Sequence, residues 1–126
     1  MSATLPLLLL LLSPGDKPAR EQGEHELKFG IEVAKRGLWS EARFRFERAV
    51  ALDPESAQAL NNLGVALEQQ GDFKGAHAVY EKALKLKPGD VYIQQNYDLF
   101  READDKRNRK SKKKPTPAPA APPPSS

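Results

Sequence analysis

The stretch Leu60–Pro88, LNNLGVALEQQGDFKGAHAVYEKALKLKP, decides the reading, because residues 26–54, ELKFGIEVAKRGLWSEARFRFERAVALDP, carry the same side-chain classes in the same order. At an offset of 34 residues, Phe29-Gly30 meets Leu63-Gly64, Val33 meets Leu67, Gly37 meets Gly71 and Trp39 meets Phe73. Ala42 then meets Ala76, Phe46 meets Tyr80, Ala49 meets Ala83, Leu52 meets Leu86 and Pro54 meets Pro88. Large apolar, small and turn residues stay in register throughout. A fixed period of this kind marks a stacked repeat in which each unit needs its neighbour to bury a face.

Each unit reads as a helical hairpin. Leu60, Leu63, Gly64 and Leu67 fall at i, i+3, i+4 and i+7, one stripe of an α-helix. Gly71-Asp72 breaks it, glycine supplying the positive φ of a tight turn. Phe73, Ala76, Val79, Tyr80, Ala83 and Leu86 then mark a second apolar face that ends at Pro88-Gly89. The earlier unit repeats this, with Ser40 predicted as the N-cap of its second helix. Gly30, Ala42, Ala49, Gly64, Ala76 and Ala83 lie on apolar faces, where a small side chain lets helix axes approach to the short end of about 8–10 Å.

The pattern Leu60-x2-Leu63-Gly64-x2-Leu67, Ala76-x3-Tyr80 and Pro88 resembles a tetratricopeptide repeat, as do Phe29-Gly30, Ala42-x3-Phe46 and Pro54. The resemblance spans Gly23 to Asp90. Two departures concern large residues: Glu26 and Leu60 stand where the family often has Trp, and Val33 and Leu67 where it often has Tyr. Glu26 is expected on an outermost helix face with no neighbour. The resemblance implies an all-α, right-handed superhelical stack of two hairpins, residues 23–56 and 57–90, within a domain over 21–105.

Outward from the repeats, Asp90 is a candidate N-cap, and Ile93, Tyr97 and Phe100 recur at i, i+4 and i+7. This predicts a C-terminal capping helix over 91–105 with a charged back, fraying near Arg109. Residues 106–126 read as a disordered tail, basic at first and then rich in Pro and Ala. Residues 1–20 read as an apolar leader. Its run Ala3–Leu12 would span about 15 Å as a helix, too short for a bilayer core, but it suits a signal-peptide h-region. No Lys or Arg precedes that run. The chain is therefore expected to be exported or membrane-associated if the leader is a signal, and cytoplasmic otherwise.

Charge divides along the same lines. The net +3 of the 126 residues combines an excess of acid between Glu21 and Asp105 with seven basic residues in Lys106–Lys114. The high pI belongs to the tail, so it does not make the domain a nucleic-acid binder. The basic run lacks interleaved aromatics for base stacking. Anchoring of the tail to anionic membrane or nucleic acid is the alternative function.

Catalysis has little to work with. Cysteine is absent, His25 and His77 lie in different repeats, and the glycines occur singly at turns rather than in a phosphate-cradling loop. No enzyme, no cofactor and no metal site is expected. The expected function is a scaffold or adaptor that binds a partner polypeptide, with self-association end to end also open. The resemblance implies a concave wall built from the first helix of every pair. It would carry Leu27, Lys28, Ile31, Lys35, Asn61, Asn62, Val65, Gln69 and Gln95, with Tyr92 and Leu99 beside them. Carboxamides such as Asn61 and Asn62 both donate and accept, as a peptide backbone requires. Relatives that clamp a peptide carboxylate use basic residues along this wall. Here Leu27, Ile31, Val65 and Gln95 stand in those places, which disfavours a carboxylate clamp and favours an uncharged or weakly polar peptide.

Overall fold

Every helix start after the first hairpin is fixed by a short polar side chain in the computed structural model, which describes residues 16–113 and 123–124. The described residues form five helices: α1 (Asp16–Lys35), α2 (Trp39–Leu52), α3 (Ala57–Gln69), α4 (Phe73–Leu86) and α5 (Val91–Lys113). Ser56 Oγ accepts from the Ala59 amide at 3.1 Å, Asp72 Oδ1 from Gly75 at 3.0 Å and Asp90 Oδ1 from Ile93 at 3.1 Å. Each satisfies an amide that a helix start would leave unpaired. α2 departs from this. It begins at Trp39 after Leu38, with no side-chain cap, and Ser40 lies inside it, its Oγ accepting from Gln70 Nε2 at 2.9 Å. The predicted cap has become a tie to the end of α3.

The two hairpin turns both use glycine in the left-handed region, Gly37 at φ 75° and Gly71 at φ 80°. Pro54 and Pro88 follow the ends of α2 and α4, where a helix cannot continue through them. Helices pack in chain order, α1 on α2, α2 on α3, α3 on α4 and α4 on α5, with α3 also touching α1 and α5. The described residues thus form two hairpins in sequence and a terminal helix.

The core follows the repeat. Phe46 and Tyr80 are each 1% exposed, and Ala42, Ala76 and Ala83 are fully enclosed. A Cβ built on Gly30 would lie 2.5 Å from the Phe46 ring, and one on Gly64 would lie 2.7 Å from the Tyr80 ring. The missing side chains are what allow the aromatics of the second helices to reach the first. Leu27 and Val33 join this core with Leu63, Leu67, Tyr97 and Phe100, while Leu60 packs with Ala57, Ala83 and Ile93.

Both ends of the domain run past their predicted limits. α1 begins at Asp16, inside the segment read as leader, and its first turn tolerates Pro18 because the amide proline lacks would be unpaired there. Residues 1–15, with the signal-like run, lie outside the described residues. α5 continues to Lys113, past both the cap expected over 91–105 and the fraying expected near Arg109, so most of the basic run is helical. Ion pairs along the helix hold it, Glu102–Lys106 at 2.9 Å and Asp104–Arg107 at 3.2 Å. Cations in the last turns also favour the helix dipole. The Arg107 guanidinium lies 3.5 Å over the Phe73 ring of α4, which ties this extension back to the stack.

Glu26 differs most from expectation. Instead of facing open space it turns onto α2, accepting from Arg45 Nη1 at 3.1 Å and Arg48 Nε at 3.0 Å. Burial pushes its carboxyl up, but the hydrogen bonds and charges of the two arginines outweigh this and hold it below the usual carboxylate range.

Candidate functional site

Side chains on α1, α3 and α5 that point away from the second helices must line a common wall, because these three helices touch one another in sequence. Two depressions occupy that wall. One, about 270 Å³, is lined by Ile31, Ala34 and Lys35 of α1, Trp39 and Phe46 of α2, and Asn62 and Val65 of α3. The other, about 400 Å³, is lined by Ile31, Gln58, Asn61, Asn62, Lys87, Asp90, Tyr92 and Ile93. Ile31 and Asn62 belong to both, so the two are neighbouring parts of one groove. Its floor is apolar near α1 and α2 and becomes polar towards α5.

The amides are partly committed. Asn62 Nδ2 donates to the Gln58 carbonyl at 2.9 Å, one turn back along α3, and its carboxamide oxygen can still accept. Asn61 Oδ1 accepts from Asn96 Nδ2 at 3.1 Å across the α3–α5 contact, leaving its own NH2 group for a visitor. Together they offer an acceptor and a donor, the pair needed to meet the N–H and C=O of one residue in an extended segment. The charged residues of the groove are Lys35, held by Glu32 at 3.1 Å, and Lys87 and Asp90 of the turn before α5.

Of the residues assigned to this wall from sequence, Ile31, Lys35, Asn61, Asn62 and Val65 come together, with Tyr92 at the α5 side. Leu27 does not. It is 7% exposed and belongs to the core, since its position on α1 faces the aromatic layer rather than the groove. Lys28 and Gln69 are exposed and line neither depression. Gln95 and Leu99 line neither groove depression; they border one of about 500 Å³ that also includes Val91 and Asp98 and meets the α5 end of the groove at Asp90. Sequence reasoning missed Trp39, Gln58, Lys87 and Asn96. Trp39 matches Phe73 in the repeat and reads as core, yet it is only partly buried and also lines the groove.

His77 is the half-buried titratable group nearest a cluster of partners. Its Nε2 lies 3.2 Å from Tyr97 Oη and 3.5 Å from Glu81, while Tyr97 Oη donates to Glu81 at 3.2 Å. Burial raises the Tyr97 hydroxyl, with Glu81 adding to it, so the phenol stays a donor. The trio joins α4 to α5 on the side away from the groove. Among the described residues no group of three or more His, Asp or Glu could hold a metal, and no helix is long and apolar enough to cross a membrane.

Comparison with known proteins bears on the fold. Residues 27–91 match the family described as Tetratricopeptide repeat. The chain is 38% identical over 82 residues to Protein O-mannosyl-transferase TMTC1 of Mus musculus, an alignment covering 64% of this chain and 9% of that protein. It is 29% identical over 89 residues to a Lipoprotein NlpI homolog of Haemophilus influenzae, covering 71% of this chain and 28% of the other. In both cases it corresponds to less than a third of the relative's length. The fold is shared with the Sgt2 TPR domain from Aspergillus fumigatus, with a TM-score of 0.65 at 16% identity over 87% of this chain and 92% of that domain.

Proposed function

The chain belongs to the tetratricopeptide repeat family, whose domains are generally protein–protein interaction modules, and we propose that it binds an extended segment of a partner protein in the groove between α1, α3 and α5. One observation carries this reading: Ile31, Val65 and Trp39 form an apolar floor beside the Asn61–Asn62 pair. An apolar side chain of the segment would seat against Ile31 and Val65 while its backbone pairs with the two amides. Opposite charges at Lys87 and Asp90 favour a segment that is neutral or carries one charge of each sign.

Two hairpins give a short groove, so affinity is expected in the micromolar range, about −8 kcal/mol. The test places a photo-crosslinking amino acid at Val65 in the full chain, and at exposed Lys82 of α4 as control. Adducts that form at Val65 with a defined polypeptide and disappear with Ile31→Glu support the groove. Equal yields from both positions, or yields that Ile31→Glu leaves intact, overturn it.

A further inference from the structure

α5 carries an exposed stripe outside the two depressions of the groove, although its Gln95 and Leu99 stand one period on from Asn61 and Val65. In the two hairpins, the face of α1 with Gly23 and Gly30 receives α2, and the face of α3 with Gly64 receives α4. Two periods on from Gly23 and Gly30 stand Val91 and Asp98 of α5. This face is the hairpin position of a third unit, and among the described residues no helix fills it. Val91 is 73% exposed and Leu99 59%.

The stripe has two halves. Val91, Gln95 and Leu99 follow at steps of four and make an apolar end, lining the 500 Å³ depression. Beyond Glu102, already paired with Lys106, exposed Lys106, Arg109 and Lys113 continue the same face at helical spacing. Val91 and Asp98 replace the small residues that admit a close helix in the earlier units. A helix seated here must therefore stand farther out and meet Asp98 with a donor rather than an aromatic ring.

We infer that the outer face of α5 docks an amphipathic helix of a partner protein, apolar at the end over Val91 and Leu99 and acidic at the end over Lys106, Arg109 and Lys113. Charge complementarity selects this occupant. Paired in parallel, a second copy of α5 would set its own basic end against Lys106, Arg109 and Lys113. An anionic membrane would meet the carboxylates of Asp98, Glu102 and Asp105 between the apolar and basic ends.

The probe is a fluorescein-labelled helical peptide with Leu on one face of its second half and Glu on that face of its first half. A twin has Lys in place of Glu, and both are titrated by anisotropy against the full chain. The Glu peptide is expected to bind at least about tenfold tighter than its twin, a difference of about 1.4 kcal/mol. Leu99→Glu and, separately, Arg109→Glu with Lys113→Glu, which leave the Glu102–Lys106 pair in place, should each weaken it about tenfold while circular dichroism shows the stack still folded. Ile31→Glu, which addresses the groove, should leave it unaffected. Equal affinity for the twins overturns the inference. So does binding that survives Leu99→Glu, which would make the basic run a plain polyanion site. Loss with Ile31→Glu would place the peptide in the groove, and a dimer dispersed by Leu99→Glu in sedimentation would make a second copy the occupant.

Discussion

Gly64 shows how a single hydrogen atom sets a helix separation. A mid-helix glycine costs about 0.5–1 kcal/mol relative to alanine, so Gly64→Ala gains that amount in helix propensity. Against the gain stands a Cβ placed 2.7 Å from a ring carbon of Tyr80, which is 1% exposed and cannot swing away. Overpacking of this kind costs about 1–3 kcal/mol, so the net effect is a loss of about 1 kcal/mol. Urea denaturation should show it, with Gly89→Ala, whose Cβ meets nothing within 4 Å, neutral or slightly stabilising. Glu26 is the other decisive residue. Its folded pKa is depressed, so its contribution is complete above the ordinary carboxylate value of about 4.3 and is lost as pH falls through the lower folded value. Glu26→Gln should cost about 1–2 kcal/mol at neutral pH, between exposed and fully buried pairs, and the cost should vanish in strong acid. Acid titration of the urea midpoint checks it. A difference that persists unchanged below pH 2 would remove the ion pairs from the account.

Among the elements, α5 closes the stack. Phe100 is fully buried against Tyr80, ring centroids 5.5 Å apart, and Tyr97 flanks it. Phe100→Ala should cost about 3–5 kcal/mol, a large share of the stability of so small a domain, and leave a chain that is partly unfolded at room temperature by circular dichroism. The apolar positions of this helix were legible, because Ile93, Tyr97 and Phe100 keep helical spacing and all three are buried. Its length was not. A run of lysines and arginines reads as solvated coil when each charge is counted alone. Here Glu102 and Asp104 stand three or four residues before their cationic partners, and Arg107 lies over Phe73, a contact between residues far apart in the chain. The same blindness to distant partners affected Glu26, whose arginines are on the next helix, and Leu27, whose side of α1 could not be assigned without knowing where Phe46 reaches. Core positions repeated at the period were readable; contacts set by a partner on another helix were not.

On the scale of the whole molecule, repetition makes stability a sum of unit and interface contributions, each unit supported by its neighbours alone. The junctions are interchangeable: Ser56 caps α3 and Asp90 caps α5 by the same geometry, each accepting from the amide three residues on. The faces at the junctions match as well, since α2 meets α3 through Phe46 and Ala49 and α4 meets α5 through Tyr80 and Ala83. A second copy of residues 57–90 inserted after Asp90 should therefore fold in register, with Asp90 capping the added first helix and the original α5 closing the longer stack. It adds one hairpin and one more interface of the existing kind, and it carries a second Asn-Asn pair and a second valine into the groove. Both the melting temperature and the urea m-value should rise, the latter because more surface is exposed on unfolding. A segment held in the groove should bind more tightly for the added length. A lower melting temperature, or two separate transitions, would show that α5 recognises α4 by contacts peculiar to this end of the chain, and that the repeat governs the shape of each hairpin without governing how hairpins join.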